Sequence, residues 1–300
     1  MRTKIILTIF AISLLLLVGC DNKPDQAGKS QAFLGGTQGL IATFEPFSVE
    51  EQGVYAVFDS DTFPIEVTLK NKGEYALKPR DVSAKLMGPS KDEFNGISSW
   101  ELQNANNVDI ISSLLPSGGE ETLTFARDAK YKQAVKGSLD RNFFINLEYK
   151  YQTYLIIPDA CLKEDLTDKR VCEVDGVKTF FVSGAPITVT SVEESSAGKG
   201  IMALKIKIKN AGIGKVTKVG EEFSAQQDKL AYTIDDSAWE CKQGGKENEA
   251  RLLNGEAEIF CKLKNALAKG TISTKQVKLA FDYKYRDTIQ ETLRIKESAK

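Results

Sequence analysis

Residues able to do chemistry are few in this chain. It holds five cysteines, at positions 20, 161, 172, 241 and 261, and no histidine. Without histidine, Ser-His and Cys-His nucleophiles and the usual zinc or copper sites are excluded. No Gly-rich phosphate loop follows a strand pattern; Gly35-Gly36 and Gly118-Gly119 read as turns. Carboxylate or calcium chemistry remains. Asp59 and Asp61 stand at i and i+2 in FDSDTFP, and Glu164, Asp165 and Asp168 crowd CLKEDLTDKRVC. A calcium site needs about six to eight oxygens, so a solvated acidic turn is the preferred reading of both groups. Nothing in the spacing singles out two carboxylates facing across a pocket, as glycosidase chemistry requires. The chain is read as non-enzymatic and without cofactor.

The N-terminus gives an address. Arg2 and Lys4 precede an apolar run from Ile5 to Val18, and Cys20 follows Leu17-Val18-Gly19. That run is short for a spanning helix, which needs about 20 residues, and has the form of a secretory signal. Leu17-Val18-Gly19-Cys20 resembles the lipobox of lipoproteins, which implies cleavage before Cys20 and lipid on its sulfur. A soluble secreted protein and an uncleaved anchor are the alternatives. With Cys20 lipidated, the other four cysteines can pair completely, as an exported setting permits. Asp21 to Ala32 is polar and aperiodic and reads as a tether. The expected location is the outer face of the cytoplasmic membrane, held by lipid. Net charge is −1 with no Lys/Arg block, so the footprint of nucleic-acid binding is missing.

The rest of the chain is written twice. PIEVTLKNKG alternates Ile65, Val67 and Leu69 with polar residues, and ALKIKIKNAG does the same with Leu204, Ile206 and Ile208. Asn71 and Asn210 are 139 apart, as are Trp100 and Trp239, the only tryptophans. LLPSGGEETLTF parallels LLNGEAEIFC, and LEYKYQT parallels FDYKYRDT, with Tyr149 and Tyr151 each 134 before Tyr283 and Tyr285. The alignment sets Cys241 against Leu102 and Cys261 against Phe125, two apolar positions in the first copy. A buried Cys241–Cys261 bridge replacing a packed pair is therefore expected, leaving Cys161–Cys172 to close a local loop that clasps the joint between copies.

Strand patterns dominate, with short helices expected only at 130–139 and 262–270. The fold class is all-β, two tandem immunoglobulin-like β-sandwich domains. The expected division is a signal peptide at 1–20, a tether at 21–33, repeat 1 at 34–158, a disulfide-clasped connector at 159–183 and repeat 2 at 184–300. Tyr149, Tyr151, Tyr283 and Tyr285 are expected in the core with their hydroxyls bonded at a sheet edge. Both tryptophans are likewise expected in the core.

The strand ending in Asn-x-Gly (VTLKNKG, IKIKNAG) and the later Leu-x-x-Gly turn resemble tandem immunoglobulin-like surface domains of the CARDB-like kind. GGTQGL, CLKEDLTDKRVC and GAPITVTSVEE are similar to a group of archaeal envelope proteins with paired sandwiches. A bacterial source is the alternative, in which Asp21 resembles a signal for inner-membrane retention. The resemblance implies a fold and no catalytic residue. The expected role is a binding, adhesion or scaffolding module whose partner is another envelope protein or a surface polymer. A spacer and a solute-capturing lipoprotein are the alternatives.

Overall fold

The computed structural model describes residues 32–299. The expected signal peptide, Cys20 and nearly all of the expected tether lie outside them. Phe33–Lys300 forms one compact unit. Its first copy supplies β1 (Leu40–Phe44), β2 (Glu50–Glu51), β3 (Val54–Phe58), β4 (Phe63–Asn71), β5 (Val82–Met87), β6 (Phe94–Asn95), β7 (Glu101–Gln103), β8 (Glu120–Tyr131) and the start of β9 (Ser138–Lys163). After β10 (Gly176–Val177) and β11 (Phe181–Val182), the second supplies β12 (Ile187–Gly198), β13 (Ile201–Asn210), β14 (Lys215–Thr217) and β15 (Asp228–Ile234). It ends with β16 (Trp239–Gln243), β17 (Lys246–Glu247), β18 (Glu249–Leu252), β19 (Glu256–Leu263) and β20 (Ile272–Lys296).

Among the described residues there is no helix. The helices expected at 130–139 and 262–270 are instead strand ends and turns. Tyr131 closes β8 opposite Phe94, and Gly137 and Gly270 adopt φ of 73° and 79°. Segments this short lack the length to nucleate a helix, and the neighbouring strands recruit their first residues.

Each copy has a small sheet of its own: β1-β4-β8-β6 in the first and β10-β12-β13-β19-β16-β17 in the second. The alternation read from the sequence sets their inner faces, burying Ile65, Val67 and Leu69 in one and Leu204, Ile206 and Ile208 in the other. Both pack on a single ten-stranded sheet built around β9 and β20. Those two strands pair antiparallel from Ser138↔Lys296 to Lys163↔Ile272. At 26 residues β9 is far longer than the usual strand of roughly 3–10 residues. Its odd residues from Phe143 to Ile157 are buried, as are Val277 to Tyr285 on β20, so one face of the shared sheet meets both small sheets.

The register makes the duplication reciprocal. Lys150 pairs with Lys284, its own counterpart, 284 minus 150 being the repeat offset of 134. A pseudo-two-fold axis therefore runs through that pair. β9 begins on β5 and ends under the second copy, where β11 joins it. β20 begins on β15 and finishes parallel to β3 of the first copy. Each copy lends its last strand to the other. β9 thus carries the chain past residue 158 without interruption, and the copies meet through the β9–β20 strand pair.

The repeated tyrosines flank the axis. Tyr149 pairs with Tyr285 and Tyr151 with Tyr283, with ring centroids 5.5 Å and 6.3 Å apart. Tyr151 Oη donates to Asn71 Oδ1 at 2.9 Å, and Tyr285 Oη donates to Asn210 Oδ1 at 3.2 Å. The same Asn oxygens accept the amides of Gly73 and Gly212. The Asn-x-Gly strand ending thereby gains its reason: the Asn holds the turn and the tyrosine, and the Gly leaves room for the hydroxyl. A Cβ on either glycine would overlap that hydroxyl. Burial pushes the Tyr285 hydroxyl up to about 12, so it stays a neutral donor.

Candidate functional site

The acidic turns are occupied by the chain itself. Asp59 accepts the amides of Val135 (2.9 Å) and Ser298 (3.2 Å), tying the C-terminal segment to the β8–β9 turn. Asp61 accepts from the Phe58 amide and the Ser60 hydroxyl. Asp165 caps Thr167 through its amide and hydroxyl, and Asp168 is forked by Arg170, which holds its carboxyl down to about 2. Among the described residues no group of three or more His, Cys, Asp or Glu is placed to hold a metal ion.

Both expected disulfides are formed, Cys161–Cys172 and Cys241–Cys261. Two details of the reasoning change. The first bridge lies near one end of the strand pair that joins the copies, not at its centre. Cys161 faces Thr274 near the far end of β9, 11 residues and roughly 36 Å of strand from the Lys150–Lys284 axis. Nor does Cys241 stand where Leu102 stands. Leu102 pairs with Ala84 in the shared sheet, whereas Cys241 pairs with Cys261 in the small sheet. The residue bonded to the Phe125 carbonyl is Ser98. The two copies cross between sheets at different points, which matched tetrapeptides around Trp100 and Trp239 do not reveal. Trp239 is buried as expected, but Trp100 is only half-buried under Lys91.

The loop closed by Cys161–Cys172 is built on three charged side chains that the sequence reading passed over. Lys163, 3% exposed, donates to the Asp168 carbonyl at 2.6 Å and to that of Cys172. Lys178 donates to the Glu173 carbonyl at 2.8 Å and meets Glu194 at 2.6 Å. Glu194 is 2% exposed and accepts the Cys161 amide at 2.8 Å. Two ammonium groups thus gather the loop carbonyls while one carboxylate pins the bridge to β12. Beside Lys163 opens a cleft of about 250 Å³ that is also lined by Leu166, Asp168, Lys169 and Asp175. The signal for Glu194 lay in a β-bulge: the register shift between Val189 and Ser191 turns Val192 and then Glu194 inward.

Burial raises the Glu194 carboxyl to about 7, with Lys178 and the Cys161 amide pulling it down and Asp175 adding to the rise. The ordinary value is 4.5, so this group's contribution to stability is complete below that pH and is lost as pH rises through about 7. Urea unfolding on either side of this window should show the wild type losing stability relative to Glu194→Gln as pH rises. Parallel curves for the two proteins would refute the assignment.

Comparison with known proteins yields no matching family model and no matching curated protein.

Proposed function

We propose that the protein is an exported, lipid-anchored envelope module that binds or scaffolds another surface component without catalysis. The observation that carries this is the reciprocal β9–β20 pairing, which welds both copies into one body. A welded body holds its loops at fixed separation, and loops on a rigid scaffold are where binding residues concentrate.

Binding is favoured over spacing by where the chain enters the body. Phe33 stacks on Tyr154 with ring centroids 6.4 Å apart, and Glu74 accepts the amides of Leu34, Gly35 and Gly184. Tyr154 lies four residues from the axis at Lys150, near the waist of the long strands. The described chain begins beside the strand pair that both copies share, whereas a spacer gains reach from copies strung end to end. Tandem immunoglobulin-like surface domains remain the resemblance that fits this reading.

Crosslinking mass spectrometry on native membranes tests it. Reproducible links from lysines at one end of the body to one protein are expected, and a Cys20→Ala chain should leave the membrane fraction. Links confined to the chain itself, with membrane attachment intact, would favour the spacer.

A further inference from the structure

Exposed apolar side chains gather where the described chain begins. Leu34 and Gly35 donate their amides to the Glu74 carboxylate at 2.8 and 2.9 Å, and Gly184 donates to it at 2.7 Å. The neighbouring Gly73 carbonyl accepts the Ile111 amide at 3.0 Å, which brings in the β7–β8 loop with Ile110, Leu114 and Leu115. In the second copy the Pro186 carbonyl accepts the Ala211 amide at 2.8 Å, and Asn210 donates its amide to the Gly255 carbonyl at 2.7 Å. Those bonds bring in Ile213 and Leu253. Six of the fourteen large apolar side chains exposed among the described residues thus belong to segments tied to one another by hydrogen bonds. They include the two most exposed, Leu114 at 95% and Ile213 at 92%. Single exposed apolar residues are ordinary, whereas a gathered set marks a surface that something covers. The turn itself does not require them. Ile213 stands 139 residues after Glu74, where the first copy carries a carboxylate.

We propose that this face lies on the lipid bilayer to which the chain is anchored. The proposal rests on reading Cys20 as the lipidated residue and adds how the body sits on the membrane. Residues 21–32 separate Cys20 from Phe33, and a chain of that length spans at most about 45 Å when fully extended. Attachment at Phe33 keeps this face within that distance of the lipid. The exposed set is Leu and Ile alone. Centres of protein interfaces favour aromatic residues, Met and Arg, so a plain aliphatic set suits hydrocarbon better. Burying these side chains at the acyl boundary removes apolar surface from water and adds to the hold of the anchor. Val49 is the contrast, an exposed apolar residue far from the entry point. Its carbonyl accepts the Ala56 amide, and Ala56 pairs with Arg294, ten residues or roughly 33 Å of strand past Lys284.

Full-length Leu114→Trp, Ile213→Trp and Val49→Trp chains would be reconstituted into phosphatidylcholine vesicles with and without bromine on the acyl chains. Bromine quenches an indole that enters the hydrocarbon, and the unmodified chain supplies the background from Trp100 and Trp239. The expected result is quenching at 114 and 213 that is about threefold or more greater than at 49. All three positions are exposed, so the substitutions leave the core intact. Hydrogen exchange of the unmodified chain should also slow across residues 110–115 when vesicles are present, a readout that needs no substitution. Flotation of the same vesicles reports the anchor separately. Equal quenching at all three positions in a chain that floats overturns the docking face and leaves the anchor standing. A chain that does not float overturns both. An emission shift at 114 or 213 that tracks chain concentration and ignores bromine gives the face to a second copy and likewise overturns the lipid contact.

Discussion

Gly212→Ala should destabilise the protein by about 2–3 kcal/mol, and adding Tyr285→Phe to it should restore much of the loss. An alanine Cβ at 212 overlaps the Tyr285 hydroxyl and lies a tight 3.2 Å from the ring carbon that bears it, while Pro186 Cβ stays at an ordinary 3.6 Å. Removing the hydroxyl removes the worst overlap and leaves the milder contact with the ring carbon. Recovery stays partial, because Tyr285 Oη also accepts the Gly214 amide at 2.9 Å. The matching pair in the first copy behaves differently. A Cβ at Gly73 meets the Tyr151 hydroxyl but also the main-chain carbonyls of Gly184 and Gln38. Tyr151→Phe should therefore fail to rescue Gly73→Ala. Urea unfolding of the four single and two double variants checks both statements. Equal rescue in the two copies would show that the hydroxyl is not the obstacle.

Phe143→Ala should cost about 3–5 kcal/mol, the usual loss for a buried phenylalanine. It should also lower the melting of both copies together. Phe143 is fully buried among Phe47, Phe94 and Phe63, with centroids 5.2, 5.5 and 6.4 Å away. It sits on β9, which is core to both copies, and the same face of β20 supplies Leu293 and Ile295 to the first copy. Unfolding one copy strips a strand from the other, so the two form one cooperative unit. Scanning calorimetry should give a single transition for wild type and variant, with calorimetric and van't Hoff enthalpies equal. Two transitions, with only one displaced by Phe143→Ala, would mean that the copies unfold independently.

These expectations separate what was legible in the residues from what was not. Period-two alternation over Ile65–Leu69 and Leu204–Ile208 marked strands and their buried faces, because side chains on a strand alternate by geometry alone. The matched Asn-x-Gly and Tyr-Lys-Tyr segments marked the duplication, and aligning the two copies singled out Cys241–Cys261 from the three pairings that four thiols allow, although Cys241 does not occupy the place of Leu102. Local pattern failed at 130–139, where helical composition yielded to a neighbouring strand, and at Glu194, where a one-residue bulge reversed the inward face.

By itself the sequence determined an all-β chain in two related copies, with both disulfides and a tyrosine core. It did so because strand period, turn chemistry and repeat spacing are local and each can be read from neighbouring residues. Only the tertiary structure decided that the copies exchange their last strands across the Lys150–Lys284 axis, and that β16 crosses later than its counterpart. Those outcomes depend on which distant strand edges meet. Pairing of that kind is chosen by the packing of whole sheets, and no stretch of neighbouring residues records it.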